Sequence, residues 1–221
     1  MKAKEAFTLA EVLITLGIIG IIASLTMPAL IANHQKIETV TKLKKFYTNI
    51  NQAVRLSEAE NGPASEWTYP VTIDSYSQIK TFYDDYLAKY LSAANVEQCS
   101  FNSDCVCVHF SDGTVATLRS ISGIDIIFYT KTKYFASVSD YSVRSPRYSF
   151  LFHLNKLDNS ANTKYLVEPY TFYWDGTRED LITGANYQAG RYGCHKDSIT
   201  YGYCTKLIQY DGWEIKGDYP W

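Results

Sequence analysis

The sequence predicts an α+β protein in which one long N-terminal helix packs against a mostly antiparallel β-sheet, with an irregular C-terminal region. Three observations predict this class. An apolar run occupies residues 7–32. A stripe of apolar residues with spacings of three and four continues it over 33–60, as in an amphipathic helix. Beyond residue 105 the apolar period changes to two, which is typical of strands that bury one face.

The apolar run begins FTLAEVLITLGIIG and is long enough to cross a bilayer. Glu11 is its one ionised side chain. A charge in hydrocarbon costs about 2.5–3.5 kcal/mol, so Glu11 requires a partner, and the obvious partner is an amine. The preceding residues, MKAKEA, form a short Lys-containing leader that ends in the small residue Ala6. Cleavage after Ala6 would make Phe7 a new N-terminus four residues from Glu11.

These positions resemble the processing site of type IV prepilins and type II secretion pseudopilins. In that pattern a small residue precedes Phe, Thr and Leu, a Glu lies five residues into the mature chain, and the apolar helix contains Gly and Pro at set places. The matching residues here are Ala6, Phe7, Thr8, Leu9, Glu11, Gly20 and Pro28. Ala6 departs from the Gly that usually precedes the cut. The apolar core is longer than the 7–15 residues of an ordinary secretory signal, and no Cys precedes Cys99 to carry a lipid anchor.

The resemblance implies a structural filament subunit, a pilin or pseudopilin, of a type IV pilus or type II secretion machine. It implies cleavage between Ala6 and Phe7 by prepilin peptidase, N-methylation of Phe7, and pairing of the new amine with Glu11 of a neighbouring subunit. Gly20 and Pro28 would belong to the same assembly helix. The implied partners are the peptidase, other pilin or pseudopilin subunits, the inner-membrane assembly platform and the lipid bilayer.

The resemblance also implies the domain organisation and the compartment. Residues 1–6 would be the leader, 7–32 a transmembrane helix that forms the filament core, 33–60 its amphipathic continuation, and 61–221 an extracytoplasmic pilin-like domain. The protein would be a single-pass protein of the bacterial inner membrane. The lysines after the span, Lys36, Lys42, Lys44 and Lys45, would by the positive-inside count place the body in the cytoplasm. We give the prepilin pattern more weight than this count.

Periodicity predicts the elements of the body. A second helix is expected at Ser77–Leu91, and Ser111–Gly113 is expected to turn a hairpin. The expected strands are Val106–Phe110, Thr114–Ser120, Ile124–Tyr129, Ser149–Asn155 and Thr171–Trp174. From Gly176 onward little periodicity remains, which predicts irregular structure.

Five cysteines in two clusters indicate disulfides in an exported protein. We expect Cys194 and Cys204 to pair, since closing so short a loop is worth about 2–3 kcal/mol. Cys105 and Cys107 point to the same side of a strand and are poorly placed to pair with each other. Cys99 could reach either one. We favour Cys99–Cys105 by a small margin, which leaves one thiol unpaired.

Composition and motifs indicate what the chain does not do. The formal net charge of −2 gives no sign of nucleic-acid binding. The sequence contains no nucleophile elbow, phosphate loop or zinc-protease motif, so we expect no enzyme and no cofactor. Some pseudopilins hold calcium with C-terminal loop oxygens, so calcium stays open as an alternative without a named ligand set. The candidate oxygens are those of Asp175, Glu179, Asp180, Asp211 and Asp218.

A second function class also remains open at this stage. The chain contains 19 Tyr residues, and such a body could recognise glycan, cell wall or a secreted substrate. In that case the prepilin signal would serve only to place a membrane-tethered binding module outside the cytoplasm.

Overall fold

A computed structural model describes residues 8–99, 104–121, 123–138, 144–154, 166–186 and 190–221. Its helices are α1 (Leu9–Asn61), α2 (Tyr76–Tyr86), α3 (Thr132–Phe135), α4 (Arg178–Thr183) and α5 (Cys204–Tyr210), with a 3-10 turn at Ala64–Glu66. Its strands are β1 (Ala93–Gln98), β2 (Val106–Phe110), β3 (Val115–Ser120), β4 (Ile124–Tyr129), β5 (Ser149–Leu154) and β6 (Val167–Pro169). The predicted α+β class is confirmed, because a long N-terminal helix packs with an antiparallel six-stranded sheet.

The chain divides into two compact units, Met1–Glu38 and Thr39–Trp221. In the first unit the described residues form the first half of α1, and the large apolar side chains between Leu9 and Ile31 are exposed. In the second unit the rest of α1 contributes to the core. Burial along α1 begins at Thr39.

The apolar stripe predicted for the second half of α1 is confirmed in the second unit. Leu43, Ile50 and Val54 are buried, and Val40 and Tyr47 are partly buried against the same core. Ile37 was expected in this stripe and is 59% exposed, because it lies before the point at which burial on α1 starts.

The sheet is a simple meander in which each strand pairs antiparallel with the next, in the order β1 to β6. The expected turn between β2 and β3 is confirmed: the Phe110 N–H donates to the Thr114 carbonyl, 2.9 Å, and Gly113 has φ of +76°. The Asp112 carboxylate accepts hydrogen bonds from the N–H and hydroxyl of Thr114. Gly113 therefore supplies the left-handed conformation that the turn requires.

Every residue of β4 is buried because side chains cover both faces of the sheet. On one face the α1 residue Phe46 stacks on Phe128 with ring centroids 4.3 Å apart. On the other face Ile127 joins a smaller cluster that includes Leu151 and the α3 residue Phe135. A strand covered on both faces reads as a continuous apolar run, and β4 is IDIIFY.

Three elements differ from the sequence-based expectations. The strand expected at Thr171–Trp174 is wrong: these residues form a turn closed by the Trp174 N–H and the Thr171 carbonyl, 3.0 Å apart. Tyr173 there has φ of +65°, which no pleated strand accommodates. The last strand, β6, lies just upstream, and β1 was not anticipated. Helix α2 ends five residues before the predicted Leu91.

The C-terminal region contains α4 and α5 within otherwise irregular chain, and its last residues dock on the domain. Tyr219 is 5% exposed, and its hydroxyl donates to the Pro146 carbonyl at 2.5 Å. Trp213 packs against Tyr47 of α1, with ring centroids 5.4 Å apart. These contacts hold an end that would otherwise fray.

Candidate functional site

Helix α1 begins with a capping box formed by Thr8 and Glu11. One Glu11 carboxylate oxygen accepts hydrogen bonds from the N–H and the hydroxyl of Thr8, each at 2.8 Å. The Glu11 N–H donates in return to the Thr8 hydroxyl oxygen at 3.2 Å. A Thr-x-x-Glu box satisfies backbone donors that the first turn of a helix leaves unpaired. An amine was expected as the partner of Glu11, and this local role was not predicted, although the Thr-x-x-Glu spacing is visible in the sequence.

Beyond the box, α1 is long and apolar enough to cross a membrane, and the side chains of its apolar window are not buried. Gly20 lies on this segment, where an added Cβ would meet no atom within 4 Å. Pro28 lies inside the helix, which continues through it. The hydroxyls of Ser24 and Thr26 donate to the carbonyls of Ile21 and Ile22. Exposed apolar surface over such a length is stable in lipid or against other helices.

The other two residues of the prepilin-like pattern, Ala6 and Phe7, lie outside the described residues, as do residues 1–5. Cleavage after Ala6 and N-methylation of Phe7 therefore stay predictions. Glu11, Gly20 and Pro28 are placed on the same helix by the structure.

The expected disulfide between Cys194 and Cys204 is confirmed, with Cα atoms 4.8 Å apart. The bond joins the first residue of α5 to a segment that follows α4. The Cys194 N–H also donates to the Leu181 carbonyl of α4 at 2.9 Å. This cross-link therefore fastens the two C-terminal helices together.

The favoured Cys99–Cys105 pairing is wrong. Cys99 pairs with Cys107, Cα to Cα 5.2 Å, and Cys105 carries the free thiol. Cys99 follows β1 and donates its N–H to the Cys105 carbonyl at 3.1 Å, so the disulfide runs diagonally to the residue two further along β2. Burial raises the pKa of the Cys105 thiol to about 12. A thiol with such a pKa is inert at neutral pH.

Two of the acidic residues weighed for calcium, Asp211 and Asp218, are already paired with basic side chains. Arg178 donates to both oxygens of Asp211, at 2.8 and 2.7 Å, and to Asp218 at 2.8 Å. Lys216 donates to Asp211 at 2.8 Å. Hydrogen bonds from Arg178 hold the pKa values of both carboxyl groups below their usual range. A guanidinium thus lies where a cation would have to bind.

Two of the other three candidate acids, Asp175 and Asp180, serve backbone turns. Asp175 accepts hydrogen bonds from the N–H and hydroxyl of Thr177, and Asp180 accepts from the N–H groups of Asp175 and Asn186. The Thr177 hydroxyl caps α4 by accepting from the Asp180 N–H. Within the described ranges, no group of three or more His, Cys, Asp or Glu side chains is arranged to hold a metal ion.

One buried polar pair was missed by the sequence analysis. Asp125 of β4 lies opposite His153 of β5, and the His153 Nδ1 is 2.7 Å from an Asp125 oxygen. Asp125 is 6% exposed. A Cβ on Gly123, which has φ of +136°, would come within 3.2 Å of the His153 ring. The pair becomes visible only with the register of β4 and β5, since its members are 28 residues apart.

Comparison with known families gives a match over most of the chain. The model of a family of unknown function, DUF6613, matches residues 29–221. The chain belongs to DUF6613. The DUF6613 match starts directly after Pro28, so it covers the sheet, both disulfides and the Arg178 cluster, and leaves out the capping box and most of the apolar segment. Neither the curated proteins nor the solved structures gave a match.

Proposed function

We propose that the chain is a pilin-like structural subunit of a type IV pilus or type II secretion filament. Prepilin peptidase would cut it between Ala6 and Phe7 and methylate the new N-terminus. The processed subunit would be held by its apolar helix in the bacterial inner membrane, with the body outside the cytoplasm. An inner-membrane assembly platform would then pass it into a filament of such subunits. We propose no catalytic activity.

The observation that carries this proposal is the charged start of an otherwise apolar, unburied helix. Glu11 is followed by exposed apolar side chains as far as Ile31. Thr8 donates both of its hydrogen bonds to the same Glu11 carboxylate oxygen, Oε2. We propose that the other oxygen accepts from an amine of a neighbouring subunit. Helices in lipid associate through polar contacts and close packing, and Gly17 and Gly20 offer small surfaces for it.

The two disulfides support the proposed compartment. Cys99–Cys107 and Cys194–Cys204 are both formed, and disulfides persist mainly in oxidising compartments. This supports a body outside the cytoplasm, against the lysine count beyond the span.

The capping box makes the central experiment sharper, because charge and capping can be removed separately. Glu11→Gln keeps a side chain that caps but removes the charge, whereas Glu11→Val removes both. Thr8→Val keeps the charge and weakens the cap by about 1 kcal/mol. If the charge pairs with an amine, both Glu11 variants enter filaments poorly and Thr8→Val enters nearly as well as the parent.

Incorporation is measured as the fraction of protein that leaves with sheared surface fibres, relative to the amount inserted in the membrane. All three variants should insert equally, because insertion depends on the apolar run. If Glu11→Gln entered filaments normally, charge pairing would be excluded, and the remaining role of Glu11 would be to cap the helix.

N-terminal mass spectrometry of the mature chain tests processing directly. The expected mature N-terminus is a methylated Phe7. A mature protein that keeps residues 1–6, or that has lost the apolar helix, would contradict the filament assignment. Retention of a correctly processed chain in the envelope after shearing would instead favour the membrane-tethered binding module.

A further inference from the structure

The loop that leads into α2 exposes two large apolar side chains. Val71 is 86% exposed and Ile73 is 62% exposed. We call residues 71–73 the apolar loop. Exposed apolar side chains that lie together on a folded body mark a surface that contacts another molecule. The loop therefore requires a partner surface.

Hydrogen bonds to α2 and β3 fix the backbone of the apolar loop. The Gln78 side-chain oxygen accepts from the N–H groups of Val71 and Thr72, at 2.8 and 3.1 Å. The Ser120 hydroxyl donates to the Thr72 carbonyl at 3.0 Å, and the Asp74 N–H donates to the Ser120 carbonyl at 3.0 Å. The loop is thus pre-organised, and pre-organisation lowers the entropic cost of binding.

A groove of suitable chemistry lies beside the second half of α1. Its volume is about 350 Å³, and its lining includes the aromatic side chains of Phe46, Phe110 and Phe128. Leu56 also lines it and is 47% exposed. Apolar side chains that enter the groove remove this lining from water, which favours binding.

The apolar loop and the groove lie at different ends of β3. Asp112 and Thr114, which line the groove, come directly before this strand, whereas the loop is bonded to Ser120, its last residue. Six extended residues separate the two ends by about 20 Å. The loop is exposed at its own end and does not fill the groove of its own chain. A contact between loop and groove therefore needs two copies of the chain.

Charge also makes the two surfaces complementary. Lys42 and Lys45 line the groove, and among its described lining residues Asp112 is the one acid. Its lining therefore carries a net positive charge. Beside the loop, Asp85 and Val71 border the same shallow depression, and Asp85 is the one charged residue among the described residues that line it. Opposite charges on two surfaces favour and orient their association.

We propose that the apolar loop of one copy docks in the groove of the next copy. This inference rests on the proposed filament and names the body surfaces that meet in it. Val71 and Ile73 contact the aromatic lining, and Asp85 lies toward the lysines of the groove. The contact is heterologous, because it joins two different surfaces, and such contacts generate open helical filaments when the rotation does not close a ring.

Cysteine cross-linking of the full chain in cells tests the contact. Val71→Cys combined with Asn49→Cys places one added thiol on the loop and one in the groove. Mild oxidation should give a ladder of dimers, trimers and higher species on non-reducing gels, because each copy uses both surfaces. Ile199→Cys combined with Asn49→Cys is the matched control, since Ile199 is 72% exposed on another surface. It should give no ladder.

The ladder is scored both in sheared fibres and in the membrane fraction of the same cells. Its absence from both overturns the inference, whatever the Glu11 variants show. An equal ladder from the Ile199 control overturns it too, because random collisions would then suffice. A ladder in the membrane fraction without any chain in sheared fibres supports the contact and contradicts the filament. The two proposals can therefore fail separately.

Substitution of the loop gives a second readout. Val71→Ser combined with Ile73→Ser should lower the fraction of chain in sheared fibres about tenfold, relative to the amount in the membrane. Its thermal midpoint should match that of the parent, because both side chains are exposed. Ile199→Ser should change neither quantity. Incorporation of the double variant at the parent level overturns the inference.

Discussion

Cys99 donates its backbone N–H to the carbonyl of Cys105, 3.1 Å away, yet its sulfur is bonded to Cys107. The backbone hydrogen bond thus places Cys105 opposite Cys99, whereas the disulfide is formed with Cys107. All three residues are buried in the smaller core cluster. A second disulfide partner therefore lies within reach of Cys99 without a change of strand register.

Alkylation tests whether the Cys105 thiol is buried and unreactive in the folded chain. Because burial raises the pKa of Cys105 to about 12, we expect no labelling of the native chain at about pH 7 by a maleimide reagent. Unfolding without reductant, in excess reagent, should expose one thiol per chain, counted by intact mass. Rapid labelling before unfolding would contradict the packing described for Cys105.

Removing Cys105 or Cys107 tests the two pairings. Cys105→Ser should keep the Cys99–Cys107 bond, and Cys107→Ser should form Cys99–Cys105 in its place, because these residues lie directly opposite in the ladder. Non-reducing peptide maps report the pairing. A Cys107→Ser chain with two free thiols would show that the opposite position does not permit a bond.

Arg178→Gln should destabilise the domain by about 2 kcal/mol at neutral pH, because it removes a charged partner from Asp211 and Asp218. Their pKa values are lowered mainly by hydrogen bonds from Arg178. A lowered carboxyl pKa stabilises the fold above the unfolded value of about 4, and this contribution is lost as the pH falls through the folded pKa. The difference in the free energy of unfolding between Arg178→Gln and the parent should therefore become smaller in acid.

Denaturant unfolding at several pH values measures this difference. Lys80→Gln is the matched control, because Lys80 and Asp84 form an exposed pair on α2 at 2.6 Å. Such pairs contribute less than about 1 kcal/mol. If the loss of unfolding free energy in Arg178→Gln became larger in acid, the assigned direction of the two pKa shifts would be wrong.

Calcium should leave the stability of the parent chain unchanged. Arg178 and Lys216 already neutralise Asp211, whose side chain is 3% exposed. We expect equal thermal midpoints in excess calcium and in excess chelator. A midpoint raised by calcium would show that the C-terminal acids bind the ion in spite of the guanidinium.

Phe46→Ala should lower the free energy of unfolding by about 3–5 kcal/mol, because replacing a buried aromatic residue by a small one leaves a cavity. Phe46 is 5% exposed and stacks on Phe128 at 4.3 Å. The control is Leu56→Ala on the same helix, because Leu56 is 47% exposed and should change stability little. Equal losses in the two variants would contradict the burial described for this face of α1.

The sequence patterns that predicted the structure correctly are those in which one local property, such as apolar spacing or a turn residue, decides the conformation. The helical stripe through Leu43 and Ile50 and the Asp112–Gly113 turn are of this kind, and α1, β2, β3 and β4 lie close to their expected bounds. Edge strands carry a weaker signal because only one side is paired. Accordingly β1, with the sequence AANVEQ, was missed, and the last strand was placed too far downstream.

The candidate sites depended on information that periodicity does not contain. The Cys99–Cys107 bond runs diagonally across a ladder, and the Asp125–His153 pair needs the register of two strands. The Tyr173 turn was taken for a strand because aromatic residues favour strands in general. The Thr8–Glu11 box, by contrast, was visible in the sequence and was passed over in favour of a distant amine.

The bond between Cys194 and Cys204 has a consequence for the order in which the C-terminal region becomes rigid. It fixes the residue next to Tyr203, and the Tyr203 hydroxyl fixes the Phe172 carbonyl. A chain whose thiols are reduced lacks the first of these restraints. The Phe172 carbonyl is therefore held less firmly until the sulfurs are joined, so oxidation completes the packing of this region.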